Sequence, residues 1–242
     1  MRTIVFQSKR ELGEAAAILF AAQVIKKADS VLGFATGSTP LETYAALSRL
    51  SQKGIVDFSA VRTYNLDEYV GLPATHEQSY AFFMHENLFA KINIRPENCH
   101  LPDGMAGDPD AECASYEQKI NAAGGIDLQL LGIGHNGHIG FNEPGDVFPT
   151  ATHCMTLTPE TIDANKRFFD SADDVPRRAL SMGIGTIMKA RGIVLLIHGA
   201  EKADICQKAL NGPVTPRVPA SILRYHPNVT VLLDQAAAAK LQ

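Results

Sequence analysis

Leu130-Leu131-Gly132-Ile133-Gly134-His135-Asn136-Gly137-His138-Ile139-Gly140-Phe141-Asn142-Glu143-Pro144 decides how the rest of the chain is read. Ile126 to Ile133 is an apolar run broken by Asp127 and Gln129, and it reads as a buried strand. It passes into a loop with glycines, two asparagines, two histidines and a glutamate. Glycine tolerates positive φ and lets backbone approach a ligand closely. A strand that ends this way ends in a site, because open α/β sheets bind ligands in the crevice at the carboxyl ends of their strands. A tight turn at Asn136-Gly137 with a surface His138 is the plainer alternative.

Working outward from this strand, strand-like and helix-like segments alternate along the whole chain. Residues 2–7 read as a strand and 9–27 as an Ala-rich helix with Leu12, Ala16, Leu19 and Ile25 at helical spacings. Then follow a strand over 30–35, a helix over 41–53, a strand over 61–66, a helix over 80–92, a short strand over 98–101 and a helix over 109–122. Beyond the central strand a mixed stretch reaches about Arg177. After it come an apolar segment over 179–184, a strand over 192–198, a helix over 201–210, a strand over 229–234 and a terminal helix over 235–241. Such alternation predicts βαβ units and a mainly parallel sheet covered on both faces, a three-layer Rossmann-like α/β sandwich. The expected organisation is one domain over residues 1–242, with an active-site lid around 145–175.

Two further strand ends carry chemistry. Thr36-Gly37-Ser38-Thr39-Pro40 is a strand–loop–helix junction with hydroxyls, glycine and a proline near the first helical turn. Unpaired N–H groups and the helix dipole converge there, which suits a phosphate; an ordinary Ser/Thr cap is the alternative. It is not a Walker loop, since the lysine and spacing are absent. Asp67 and Glu68 follow an apolar strand and are flanked by Tyr64 and Tyr69. A carboxylate shielded from water by aromatics has a raised proton affinity and can act as a general base, whereas a solvated acidic turn would not. His138 is of the type that titrates near neutral pH, with Asn136 and Glu143 close enough in sequence to orient its ring. Arg167 and Lys202 are the basic residues best placed, in the mixed stretch and directly after a strand, to hold an anion.

The 242 residues, 45% hydrophobic with net charge −4, suffice for one packed core and argue against nucleic acid as the default partner, while leaving room for a small anion held by a local cluster of donors. No apolar run approaches the roughly 20 residues that span a bilayer, and no signal peptide is recognisable. Cys99, Cys113, Cys154 and Cys206 lack metal-type spacing and suggest a reducing cytoplasm.

Taken together, Thr36-Gly37-Ser38-Thr39-Pro40, Asn65-Leu66-Asp67-Glu68-Tyr69-Val70-Gly71-Leu72, Gly137-His138-Ile139-Gly140-Phe141-Asn142-Glu143-Pro144 and Ala164-Asn165-Lys166-Arg167-Phe168-Phe169 resemble the glucosamine-6-phosphate deaminase (isomerase) family, in the family's order. The resemblance runs from the first strand almost to the last residue. It implies amino-sugar catabolism by hydrolysis of a C–N bond: glucosamine 6-phosphate and water become fructose 6-phosphate and ammonia. No metal and no organic cofactor are implied. It assigns Asp67, Asn136, His138 and Glu143 to catalysis, and Thr36, Gly37, Ser38, Thr39, Arg167 and Lys202 to the substrate and its phosphate. The partner is then a small sugar phosphate, with no nucleic acid or membrane, and the oligomeric state is open. Some members carry Asp where this chain has Asn136. In oligomeric members activated by N-acetylglucosamine 6-phosphate, the two cationic effector positions correspond here to His153 and Met155. A 6-phosphogluconolactonase-like hydrolase and a non-catalytic sugar-phosphate sensor are the rival readings.

Overall fold

The central strand Leu128–Gly132 (β6) lies in the middle of a fully parallel sheet of the order β1-β10-β9-β6-β2-β3-β5. Its members are β1 Arg2–Phe6, β2 Val31–Phe34, β3 Arg62–Asn65, β5 Cys99–His100, β9 Ile193–Ile197 and β10 Val229–Asp234. The molecule is described here by a computed structural model covering residues 1–166, 169, 171 and 174–241. Strand β9 is apolar at every position, and β6 and β10 nearly so apart from Gln129, Thr230 and Asp234, because both faces are covered. Leu131, Leu195 and Val231 point into one core, and Leu130, Leu196 and Leu232 into the other.

The second of these cores is closed by α1 (Lys9–Lys26), α2 (Leu41–Gln52) and α3 (Tyr80–Asn87). The first is closed by α4 (Pro109–Ala122), α6 (Ile184–Ile187), α7 (Ala203–Asn211), the 3-10 segment Pro219–Tyr225 and α8 (Gln235–Ala238). The three-layer sandwich expected from the alternation is therefore the fold. In α1 the face differs from the expected one: Leu12 and Ala16 are buried, but the stripe continues through Phe20 and Val24, while Leu19 and Ile25 are exposed. The phenyl ring of Phe20 stacks on Phe34 of β2 and sets the helix's rotation.

A second, antiparallel sheet was not expected. It has the order β4-β8-β7, from Asp67–Tyr69 (β4), Arg178–Ser181 (β8) and His153–Thr156 (β7). Asp67, read from the sequence as a loop residue after a strand, is thus itself in a strand and faces Ser181 in register. The segment expected as a lid contains β7 and α5 (Pro159–Asn165), so part of it is regular structure. Among the described residues no helix is long and apolar enough to cross a membrane. The four cysteines are free thiols, Cys113 and Cys206 buried, Cys99 and Cys154 half-buried.

Candidate active site

Strand order reverses beside β2: the chain proceeds from β2 to β3 and β5 on one side, then returns to β6, β9 and β10 on the other. The loops after β2 and β6 therefore diverge and leave a crevice at their carboxyl ends, where α/β sheets bind ligands. Thr39 lies next to Gly132 at this point: a Cβ built on Gly132 would stand 3.9 Å from the Thr39 hydroxyl.

In the loop after β2, Gly37 takes φ +90 to turn the chain into α2. Pro40 occupies the N-cap and no side chain caps the helix, so neither Ser38 nor Thr39 is spent as a cap. The proline thus sits one residue earlier than a first-turn proline would. Thr36 shares a hydrogen bond with the Tyr80 hydroxyl from α3. The opening beside this loop is lined by Gly37, Ser38, Tyr69, Tyr80, Phe83 and Phe169.

The two acidic residues of β4 have different environments. Glu68 is buried and accepts backbone N–H bonds from Tyr69 (2.8 Å), Tyr80 (2.9 Å) and Ala81 (2.9 Å), so it caps α3. Burial raises its proton affinity and these three donors oppose the rise. Asp67, only 6% exposed, has its carboxyl pushed up to about 8, first by burial and then by the charge of Glu68. Tyr69, Tyr80 and Phe141 pack together above β4, with centroids 4.8–6.0 Å apart, and Phe169 meets Tyr69 at 6.0 Å.

The loop after β6 is clamped to β8, the strand that also pairs with Asp67. Asn142 donates its amide to Ile139 O and Met182 O, both at 2.8 Å, and Phe141 N–H donates to Ser181 Oγ at 2.9 Å. This fixes His138 relative to Asp67 through two short connections. The imidazole lies flat over Gly134, where a Cβ would come within 2.3–2.5 Å of three ring atoms. His138 Nδ1 stands 3.3 Å from Glu143 Oε1, in ion-pair contact but off the line of a well-aligned hydrogen bond. Glu143 also accepts from Asn136 Nδ2 at 2.6 Å and from the Thr161 hydroxyl of α5. Burial would push the Glu143 carboxyl up, but His138, Thr161 and Asn136 outweigh it and hold it below its usual range. Asn136 therefore orients Glu143 and, through Oδ1, the His138 backbone N–H (3.2 Å), rather than the ring itself as its position in sequence suggested.

Lys202, in the short 3-10 segment Ala200–Lys202 after β9, extends its ammonium to Ile133 O at 2.9 Å, the first carbonyl beyond β6. Arg167 lies outside the described residues. The fold thus gathers Thr36, Gly37, Ser38, Thr39, Asp67, Asn136, His138, Glu143 and Lys202 at the carboxyl ends of β2, β3, β6 and β9. Sequence reading missed Gly134, Ser181, Thr161 and Tyr80. The four-residue spacing from Gly134 to His138 was the available signal for the first; nothing local marks the others. Among the described residues no group of three His, Cys, Asp or Glu is disposed to hold a metal ion.

A buried carboxylate, a histidine–glutamate pair and a hydroxyl-rich helix start at a switch point define a site for acid–base chemistry on a small anion. The chain belongs to the family described as glucosamine-6-phosphate isomerases/6-phosphogluconolactonase, whose model matches residues 7–232. Within it, the chain is 54% identical over 241 residues to the glucosamine-6-phosphate deaminase of Halothermothrix orenii, covering 100% of both. It is 55% identical over 232 residues to that of Lachnoclostridium phytofermentans, covering 96% of this chain and 98% of the relative. The solved structure of a monomeric glucosamine-6-phosphate deaminase superposes with a TM-score of 0.97 at 46% identity, covering 99% of this chain and 100% of that one.

Proposed function

We propose that this protein is a glucosamine-6-phosphate deaminase, converting glucosamine 6-phosphate and water to fructose 6-phosphate and ammonia. The observation that carries the reading is Asp67: a buried, water-poor carboxyl with raised proton affinity, held in one frame with His138. Hydrolysis of a lactone needs an activated water and no C–H base, so this setting favours the deaminase over the lactonase side of the family.

In this reading His138, supported by Glu143, Asn136 and Thr161, shuttles the proton between the anomeric hydroxyl and the ring oxygen, which opens the pyranose. Asp67 then takes the C2 proton of the aldehyde and returns a proton to C1. The bond order moves from C1=O through an enolamine to a C2=N imine. Water adds to that imine and ammonia leaves, so the net reaction is hydrolysis of a C–N bond built on an internal isomerisation. One carboxylate suffices because the proton moves between adjacent carbons. Acid–base steps of this kind contribute roughly 10²–10⁴-fold each, and positioning supplies the rest. The 6-phosphate is held by the loop 36–39 with Lys202 and Arg167, so that binding at a remote end fixes C1 and C2 against Asp67. The chain works as one unit over residues 1–242, as a monomer like the solved deaminase, and residues 145–175 cover the site. Support for that cover is Thr161 on Glu143 and Phe169 against Tyr69.

The test is product identity. Ammonia and fructose 6-phosphate should form from glucosamine 6-phosphate in equal amounts, and no acid should form from 6-phosphogluconolactone. Asp67→Asn should abolish both deamination and exchange of the C2 proton with deuterated solvent; substantial residual exchange would remove Asp67 from the role of base.

A further inference from the structure

Asp67 has no cation of its own among the described residues. From its own strand it meets Glu68 and Tyr69; from α2, α3 and α4 the phenols of Tyr44, Tyr80 and Tyr116 feel its charge. Strand β8 offers the uncharged Ser181. The loop after β6 brings up the backbone of Gly140, where a Cβ would stand 3.7 Å from Asp67 Oδ2, and carries the His138–Glu143 pair. The phenols are engaged elsewhere. Tyr44 donates to Ala35 O, Tyr116 to Asn65 O and His100 O, Tyr69 and Tyr80 bond to one another, and Tyr80 also bonds to Thr36. A buried carboxylate among neutral rings and a second carboxylate binds a proton rather than stay charged. A protonated carboxyl cannot act as a base.

We propose that the substrate's own 2-ammonium group is the missing countercharge, so that the site selects 2-amino over 2-hydroxy sugar phosphates by ionising its base only when the ammonium arrives. The proposal rests on the deaminase reading above. The geometry required is already in the chemistry, since the atom that loses its proton to Asp67, C2, is the one that carries the nitrogen. The proton balance closes. Asp67 gives one proton to solvent when the ammonium binds, takes the C2 proton, delivers a proton to C1, and regains a proton from solvent once the nitrogen has left as ammonia and the product departs. The ammonium also withdraws electrons from C2 and makes its hydrogen more acidic. A 2-hydroxy sugar phosphate would bind through its phosphate but leave Asp67 protonated and idle.

The experiment is titration calorimetry of the full chain in two buffers of different ionisation enthalpy, with two unreactive open-chain ligands, 2-amino-2-deoxyglucitol 6-phosphate and glucitol 6-phosphate. Protons released through the common phosphate cancel in the difference. With the carboxyl at about 8, it is roughly 0.9 protonated at pH 7, so the amino ligand should release up to about 0.9 proton more than the hydroxy ligand. That excess should vanish in Asp67→Asn, and in the wild type it should decline as pH is raised through about 8. Equal proton release by the two ligands at pH 7, or an excess that persists in Asp67→Asn or does not decline with pH, overturns the proposal. Ammonia release from glucosamine 6-phosphate is measured on the same preparation. Its presence with equal proton release sinks the countercharge alone, and its absence sinks the deaminase reading and the countercharge together.

Discussion

Gly134→Ala should disable ring opening without removing any polar or titratable group. The Cβ introduced at Gly134 would lie 2.3 Å from His138 Nε2, 2.4 Å from Cδ2 and 2.5 Å from Cε1. Nonbonded carbon contacts settle at about 3.5–4.0 Å, so the imidazole must retreat by roughly 1 Å or more. Gly134 is not among the positive-φ glycines, so alanine adds bulk there without backbone strain. Misplacing a catalytic group by about 1 Å can cost on the order of 10²-fold in rate. Overpacking of this kind costs about 1–3 kcal/mol. At about 2–4 °C per kcal/mol for a chain of this size, Tm should fall by roughly 2–12 °C. The assay couples fructose 6-phosphate formation to a reporter, alongside a thermal melt. Gly107→Ala is the control, since a Cβ there meets nothing within 4 Å and the φ is ordinary. A kcat within threefold of wild type in Gly134→Ala would show that the backbone under the ring does not set its position, and the ring-opening geometry would have to be abandoned.

Three other outcomes are expected. Asp67 binds its proton more tightly when folded, its value rising from 3.8 to about 8, so the native state loses stability as pH rises from the unfolded value through about 8. Asp67→Asn removes this slope, and its Tm relative to wild type should climb between pH 5 and pH 9; a constant offset would contradict the buried-carboxyl assignment. Lys202→Met should raise KM by about 10–150-fold, the worth of a charge-assisted hydrogen bond of about 1.5–3 kcal/mol, with a smaller effect on kcat. An unchanged KM would remove Lys202 from the phosphate site. Because Met155 cannot donate to phosphate and His153, on β7, already has Nδ1 3.1 Å from Ala151 O, substrate saturation should be hyperbolic with or without N-acetylglucosamine 6-phosphate. A sigmoidal curve straightened by that sugar would refute this.

Period and composition were enough to determine the parallel sandwich, because strands buried on both faces are mostly apolar and the helices that cover them must alternate with them. They were enough, too, to mark the stretches at 36–39, 67–68 and 136–143, where glycine, hydroxyls and charge follow apolar strands, though 67–68 proved to be a strand and not a loop. What lies outside local sequence is who touches whom. Asp67 and Glu68 are chemically alike and adjacent, yet one is used up by the backbone N–H groups of Tyr69 and of Tyr80 and Ala81 in α3 while the other stands in a dry cage of tyrosines. That division depends on Tyr44, Tyr80 and Tyr116 arriving from three separate helices. Likewise Asn136 turned out to hold Glu143 rather than the imidazole, and Thr161, 18 residues beyond Glu143, completes that carboxylate's shell. Strand β4 is only three residues long and pairs with β8 more than a hundred positions away. Such a strand has no periodicity to read. Its existence, and with it the orientation of the candidate base, comes from long-range pairing that only the folded chain can supply.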